Sequence, residues 1–231
     1  MRLLADLIAP LRCVSCGASS DGDLCAPCAH ELVPIAGPIC LRCGTPMERR
    51  SVQVCPACRD HDGYAAARSL LVYRGPAGRL ALALKRRGRH ELARHAGGLL
   101  ADLATAYGLA DERLTVTFVP AGREADRRGY DHAELLARGV AEKLAFPCER
   151  WLARSGDGPR QSEVPLHRRA ENAARRFRAV RVRGRILLVD DIFTTGATVQ
   201  ACSSALMRAG AKRVDVITLA RTPRLRPAAG A

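Results

Sequence analysis

Aromatic residues are scarce: phenylalanine, tyrosine and tryptophan together make up 4% of the 231 residues, and Trp151 is the single tryptophan. With 48% hydrophobic residues overall, a packed core is affordable only through aliphatic side chains. The shortage also argues against a stacking platform for bases, because only Trp151 and Phe177 lie near the arginine-rich segment. A long apolar run is missing as well, so no stretch reaches the roughly 18 residues of a membrane-spanning helix. The N-terminal stretch is broken by Asp6 and Pro10 and lacks a small-residue cleavage site, which speaks against an export signal. Residues 2–9 read instead as a short amphipathic helix packed on the body. The expected location is the cytoplasm.

Acidic residues are outnumbered, 23 Asp+Glu against 37 Lys+Arg, for a formal net charge of +14. The imbalance is not uniform. Residues 1–63 hold 6 basic and 7 acidic residues; residues 64–231 hold 31 and 16. A basic C-terminal part points to polyanionic partners, either phosphorylated small molecules or nucleic acid. A GC-rich coding sequence, which favours Arg and Ala throughout, is the competing explanation. The densest stretch is residues 150–185, with 11 arginines and 3 acids, and "LKRRGRH" (84–90) is a second cluster. Arginines there would neutralise pyrophosphate, track a nucleic-acid backbone, or simply be solvated.

Cysteine is plentiful, and its spacing is informative. Eight of the ten cysteines form four CxxC pairs: Cys13/Cys16, Cys25/Cys28, Cys40/Cys43 and Cys55/Cys58. In a reduced compartment such pairs bind metal rather than form disulfides. Each CxxC turn offers two thiolates, so four turns predict two closed tetrahedral zinc sites of structural type. Gly17 and Gly44 follow the second cysteine of their pairs, where a tight turn needs a permissive backbone. Sequential and interleaved pairing of the turns both remain open at this level. His30 and His61 are nearby substitutes that a complete cysteine set makes unnecessary. Cys148 and Cys202 are solitary and read as small buried hydrophobes.

From about residue 66 the pattern changes to alternating strands and helices. Strands are expected at 67–73, 114–120, 185–191 and 213–220. Helices are expected at 77–88, 90–108, 131–145 and 198–211, the last ended by Gly210. Alternation of this kind predicts an α/β domain with a parallel, helix-covered sheet. The domain boundaries implied are 1–63 for the zinc module and 64–231 for the α/β domain. Ligands of such sheets sit at the carboxyl ends of the strands, where Asp190–Asp191 and Val119–Pro120 are expected.

The stretch "ILLVDDIFTTGATV" (186–199) carries the most chemistry. Thr194, Thr195, Gly196, Ala197 and Thr198 open a helix, whose unpaired amides and dipole favour an anion. Two carboxylates beside that anion would repel it, but they suit hydroxyl groups. A phosphate joined to a neighbouring diol describes ribose 5-phosphate.

These residues resemble the PRPP-binding motif of type I phosphoribosyltransferases. The resemblance implies that fold, with helices on both faces of the sheet. It assigns Asp190 and Asp191, which are also the catalytic candidates, to the ribose 2- and 3-hydroxyls. It assigns Thr194 to Thr198 to the 5-phosphate, Pro120 and Arg123 to the pyrophosphate loop, and magnesium to the pyrophosphate itself. Joined to a double zinc ribbon, the whole chain is similar to the ComF/ComFC (GntX-like) family. Val119–Pro120, Arg128–Gly129 and Leu135–Leu136–Ala137 match that family's "VPVP…RGFNQ…LA" stretch, while Ala121–Gly122, Tyr130 and Asp131–His132 depart from it. Gln161, Leu166, Arg169, Asn172 and Phe177 match a later stretch expected to form a hood over the ligand. The resemblance implies a competence protein that binds PRPP or a related ribose phosphate and supports handling of single-stranded DNA in natural transformation. Implied partners are that DNA and a competence helicase or channel, with the protein in the cytoplasm or peripheral at the inner membrane. The alternative is an active phosphoribosyltransferase with an unknown base or amine acceptor.

Overall fold

The computed structural model describes residues 11–48, 51–59, 63–87, 89–110, 113–122, 129–154 and 176–223. The expected helix at 2–9, Arg123 and most of the expected hood lie outside them.

A four-stranded parallel sheet organises the larger part. Its strands are β1 (Ala66–Val72), β2 (Leu114–Phe118), β5 (Arg185–Phe193) and β6 (Arg213–Arg221), in spatial order β1-β6-β5-β2. The central strands are apolar almost throughout because both faces are covered. Side chains alternate between those faces. Leu187, Val189, Ile217 and Leu219 join a core built with helices α2 (Pro76–Arg87), α3 (His90–Ala106) and α4 (His132–Leu144). Ile186, Leu188, Val214 and Val216 join a second core with helix α5 (Ala197–Arg208) and the cysteines of the second zinc ribbon. The expected α/β class, with helices on both faces and an N-terminal double zinc ribbon, is therefore present.

Helices α3 and α4 meet backbone to backbone. A Cβ on Gly97 would lie 2.6 Å from the Leu136 carbonyl oxygen, and one on Gly139 would lie 3.0 Å from Arg94. Helix α4 begins at the expected cap: the Asp131 carboxylate accepts from the Ala133 amide at 3.0 Å and from the Ala121 amide at 2.8 Å. One cap thereby fixes both the helix and the loop leaving β2.

Two features differ from the sequence expectation. Strand β5 continues past the acids to Phe193, because β6 supplies partners as far as Arg221. On its other side β5 loses its neighbour at Val189, where β2 ends and the Val119 amide makes the last bond at 3.0 Å. Among the described residues the acids thus stand inside a strand that is paired on one edge only. The second difference is a small antiparallel pair, β3 (Leu152–Arg154) with β4 (Phe177–Ala179). It brackets the residues expected to form the hood and buries Phe177.

The zinc ribbons repeat one design. In each, a cysteine amide donates to the carbonyl five residues on (Cys13 to Ala18, Cys40 to Thr45), and the knuckle glycine's amide returns to that cysteine's carbonyl. In each, the second knuckle opens a short helical turn with an early proline: α1 (Ala26–His30) after Cys25 and a 3₁₀ turn (Pro56–Cys58) after Cys55. The chain between the two halves pairs with the outer edge of β1, through Val72 to Val33 and Ile35 to Leu70 bonds of 2.8 and 3.0 Å. It covers what would otherwise be an open sheet edge.

Candidate functional site

The eight paired cysteines gather into two clusters, Cys13/Cys16/Cys25/Cys28 and Cys40/Cys43/Cys55/Cys58. Within each, all four sulfurs lie within 4.8 Å of one another. Pairing is sequential, which resolves the alternative left open by spacing. A tetrahedron of sulfurs about 2.3 Å from zinc has edges of about 3.8 Å. The Cys16–Cys25 and Cys43–Cys55 separations are 3.6 and 3.8 Å. The donor sets therefore fit two structural zinc ions with four thiolates each. Amides of Cys43 and Cys55 point at Cys40 Sγ at 3.5 and 3.3 Å. Burial works against ionisation of Cys40, but these amides outweigh it and bring its pKa down to about 7. His30 lies in α1 and takes no part in either cluster.

The second site is a cleft of about 440 Å³ at the carboxyl ends of β2 and β5. Its lining includes Pro120, Asp190, Asp191, Thr194 and Thr198, all expected from sequence, together with Lys85, His132 and Arg154. It opens where β2 stops and β5 continues.

Alternation along β5 sends the two adjacent aspartates to different surroundings. Asp191 turns toward α2 and α4. Its Oδ2 lies 2.6 Å from Lys85 Nζ and 3.6 Å from His132 Nε2. Burial disfavours its charge, yet His132 and Lys85 overcome this and hold the pKa at about 2. Asp190 turns toward α5, where its neighbours include Cys202. Burial, then the charge of Asp191, pushes its pKa well above the ordinary carboxyl range, although the Asp191 amide donates to its Oδ1 at 2.9 Å. The two carboxyls are therefore driven in opposite directions, Asp191 toward its anion and Asp190 toward its neutral acid. Cys202 itself is fully buried, as expected, and burial raises its thiol.

Beyond Phe193 the chain turns into α5. Gly196 caps the helix at φ +88°, and a Cβ there would lie 2.7 Å from Phe193 Cζ. Only glycine fits both the angle and the contact. Thr195 is exposed, and its hydroxyl accepts from the Ala197 amide at 3.3 Å. Ala197 is the first helical residue, and no acid stands in the first turn of α5. Opposite, Arg154 reaches in from β3, its Nε donating to the Pro120 carbonyl at 3.1 Å while its guanidinium lies 5.2 Å from the Phe177 ring centre.

The double zinc ribbon domain model matches residues 4–59. Over most of the chain, the DNA utilization protein YhgH of Salmonella typhimurium (strain LT2) is 28% identical across 214 residues, 89% of this chain and 93% of that protein. The competence protein ComFC of Bacillus subtilis (strain 168) is 26% identical across 217 residues, 87% and 85% respectively. The chain is thus similar, over most of its length, to ComFC-like proteins. Among solved structures, part of the chain is similar to a glutamine PRPP amidotransferase from B. subtilis in complex with ADP and GMP. The TM-score is 0.42 with 24% identity, covering 60% of this chain and 30% of that one. The structure of the allosteric regulatory enzyme of purine biosynthesis gives the same TM-score at 25% identity. The chain spans less than a third of the length of either enzyme.

Three residues lining the cleft are not singled out by the sequence. Lys85 was one member of an ambiguous basic cluster, His132 stood as a departure from the family motif, and Arg154 was one arginine among eleven. Their common signal is position: each lies near an element end that faces the carboxyl edge of the sheet.

Proposed function

We propose that the cleft binds PRPP or a related ribose phosphate, and that the protein uses this site in handling single-stranded DNA during natural transformation. The observation that carries the reading is the pair Asp190–Asp191 in a cleft shared with Thr194 and Thr198, at the one-edged stretch of β5. A neutral acid can donate to a hydroxyl oxygen, and a carboxylate can accept from a hydroxyl proton. Such a pair suits a vicinal diol. The amides opening α5, with the hydroxyls of Thr194 and Thr198, suit the terminal phosphate.

Lys85 and Arg154 supply positive charge on either side of the same cleft, and they support an anionic group beyond the sugar. Magnesium fits as an ion carried by pyrophosphate. Asp191 is engaged by Lys85 and Asp190 favours its neutral form, so no pair of free carboxylates is arranged to hold it. The pyrophosphate loop assigned to Arg123 lies outside the described residues; Arg154 is the cation placed beside Pro120. The names of the relatives, a DNA utilization protein and a competence protein, support the cellular half of the reading. Among the described residues no helix is long and apolar enough to cross a membrane, so contact with a membrane channel would be peripheral.

The alternative, transfer of ribose 5-phosphate to a base or amine, uses the same groups. Lys85 and Arg154 would then stabilise departing pyrophosphate. Incubation with PRPP, magnesium and a panel of bases separates the two. Binding without pyrophosphate release supports the binding module, release supports the transferase, and no binding overturns both.

A further inference from the structure

Two arginines lie buried between the sheet and the second zinc ribbon. Arg68 on β1 is 8% exposed and Arg221 on β6 is 1% exposed. Among the described residues neither has a carboxylate at ion-pair distance, and Nε of both, with Nη2 of Arg221, is buried without a partner. An isolated buried guanidinium is costly unless a counter-charge lies near. For Arg68 the nearby counter-charges are Asp215 and the thiolates of Cys40 and Cys43; the four-thiolate cluster with Zn²⁺ carries a net charge of −2.

The backbone geometry agrees. Three consecutive carbonyls of the knuckle accept bonds from the sheet. Leu41 O accepts from Arg68 Nη1 at 2.9 Å, Arg42 O from the Ala67 amide at 2.6 Å, and Cys43 O from Arg221 Nη1. Amides on the other side of the knuckle point at sulfur. The first ribbon has no counterpart of this clamp among the described residues: its hydrogen bonds from Arg79 to Ser15 and between His95 and Asp23 are exposed.

Arg221 also faces the ligand loop. Its guanidinium lies 4.7 Å from the Phe193 ring centre, with Tyr64 packed edge-on against the same ring at 6.2 Å. Phe193 occupies the space beside Gly196, the residue that turns the chain into α5. We propose that Arg221 and Phe193 are positioning residues that link the second zinc knuckle to the loop Thr194–Thr198, so that zinc at Cys40/Cys43/Cys55/Cys58 sets the shape of that loop whereas zinc at Cys13/Cys16/Cys25/Cys28 does not. The proposed function enters only as what the loop holds; the linkage itself needs no ligand.

The test follows amide hydrogen exchange of the full chain without ligand, comparing a peptide over 194–200 with one over 213–220 in β6. In Arg221→Met and in Phe193→Leu, with zinc content measured in each, the 194–200 peptide exchanges about tenfold faster while β6 stays protected. Arg221→Met also weakens one of the two zinc sites by about 10–100-fold in chelator competition, as loss of an outer partner does. Cys13→Ser, which removes zinc from the first cluster, leaves 194–200 unchanged. Unchanged exchange at 194–200 in both Arg221→Met and Phe193→Leu overturns the proposal. So does equal loosening of the loop by Cys13→Ser. If Arg221→Met fails to fold, Phe193→Leu, which keeps the arginine and the knuckle carbonyl, decides alone.

Discussion

Lys85 Nζ and Asp191 Oδ2 stand 2.6 Å apart, joining the end of helix α2 to the middle of a strand more than a hundred residues later. Asp190, one residue earlier on that strand, makes no ion pair with Lys85 and lies near Cys202 of α5 instead. The two carboxylates therefore do different work.

The first prediction contrasts them. Burial and the charge of Asp191 disfavour the ionised form of Asp190, so Asp190→Asn leaves the thermal midpoint unchanged or raises it. Asp191→Asn strands a cation beside a buried amide and lowers stability by about 1–3 kcal/mol. Thermal unfolding at pH 7 checks the order; a larger loss in Asp190→Asn contradicts it.

A pH dependence follows from Asp191. Its pKa in the fold, about 2, lies below the ordinary value of 3.8. A depressed carboxyl stabilises the fold above its unfolded pKa, and that contribution is lost as pH falls through the folded one. Stability attributable to this group is complete above about pH 4 and disappears between about 4 and 2. In Asp191→Asn the acid side of the stability curve flattens over that window. Denaturant titrations at stepped pH measure it, and an unchanged acid limb contradicts the assignment.

The carboxyl-edge location of the acids was legible in the sequence, because four apolar residues before Asp190 mark a doubly covered strand. Their unequal environments were not: opposite faces follow from alternation, but which face carries Lys85 and His132 depends on how α2 and α4 return to the sheet. The overrun of β5 to Phe193 was hidden for a similar reason, since its partner is β6 rather than anything local. Strands β3 and β4 are three residues each and 22 residues apart, too short for periodicity to announce. The zinc clusters were legible in full except for pairing, which the fold resolves through the short connections within each half.

Metal content gives a third prediction. Purified protein carries about two zinc ions per chain. Cys40→Ser destabilises the α/β part more than Cys13→Ser, because the second cluster belongs to a core with α5 and the sheet whereas Cys16 of the first cluster is exposed. Metal analysis with circular dichroism tests both statements; one ion per chain, or equal damage from the two variants, counts against them.

Gly196→Ala is the fourth. The positive φ and the 2.7 Å approach to Phe193 make any side chain strained there. The variant folds, with stability reduced by about 1–3 kcal/mol, and its affinity for ribose phosphates falls at least several-fold. Wild-type affinity in the variant removes the loop from the account.

Nucleic-acid binding is the fifth. The basic segment 150–185 predicts association with single-stranded DNA that weakens steeply with salt, and further when arginines within 168–185 are changed to alanine. Binding measured across a salt series checks it; a salt-insensitive association points to a different surface.

The most direct measurement is titration calorimetry of PRPP with magnesium into wild-type protein and into Asp190→Ala/Asp191→Ala, with zinc content and folding confirmed in both. The account predicts saturable binding by the wild type and none by the double variant. Equal affinity in the two proteins contradicts it.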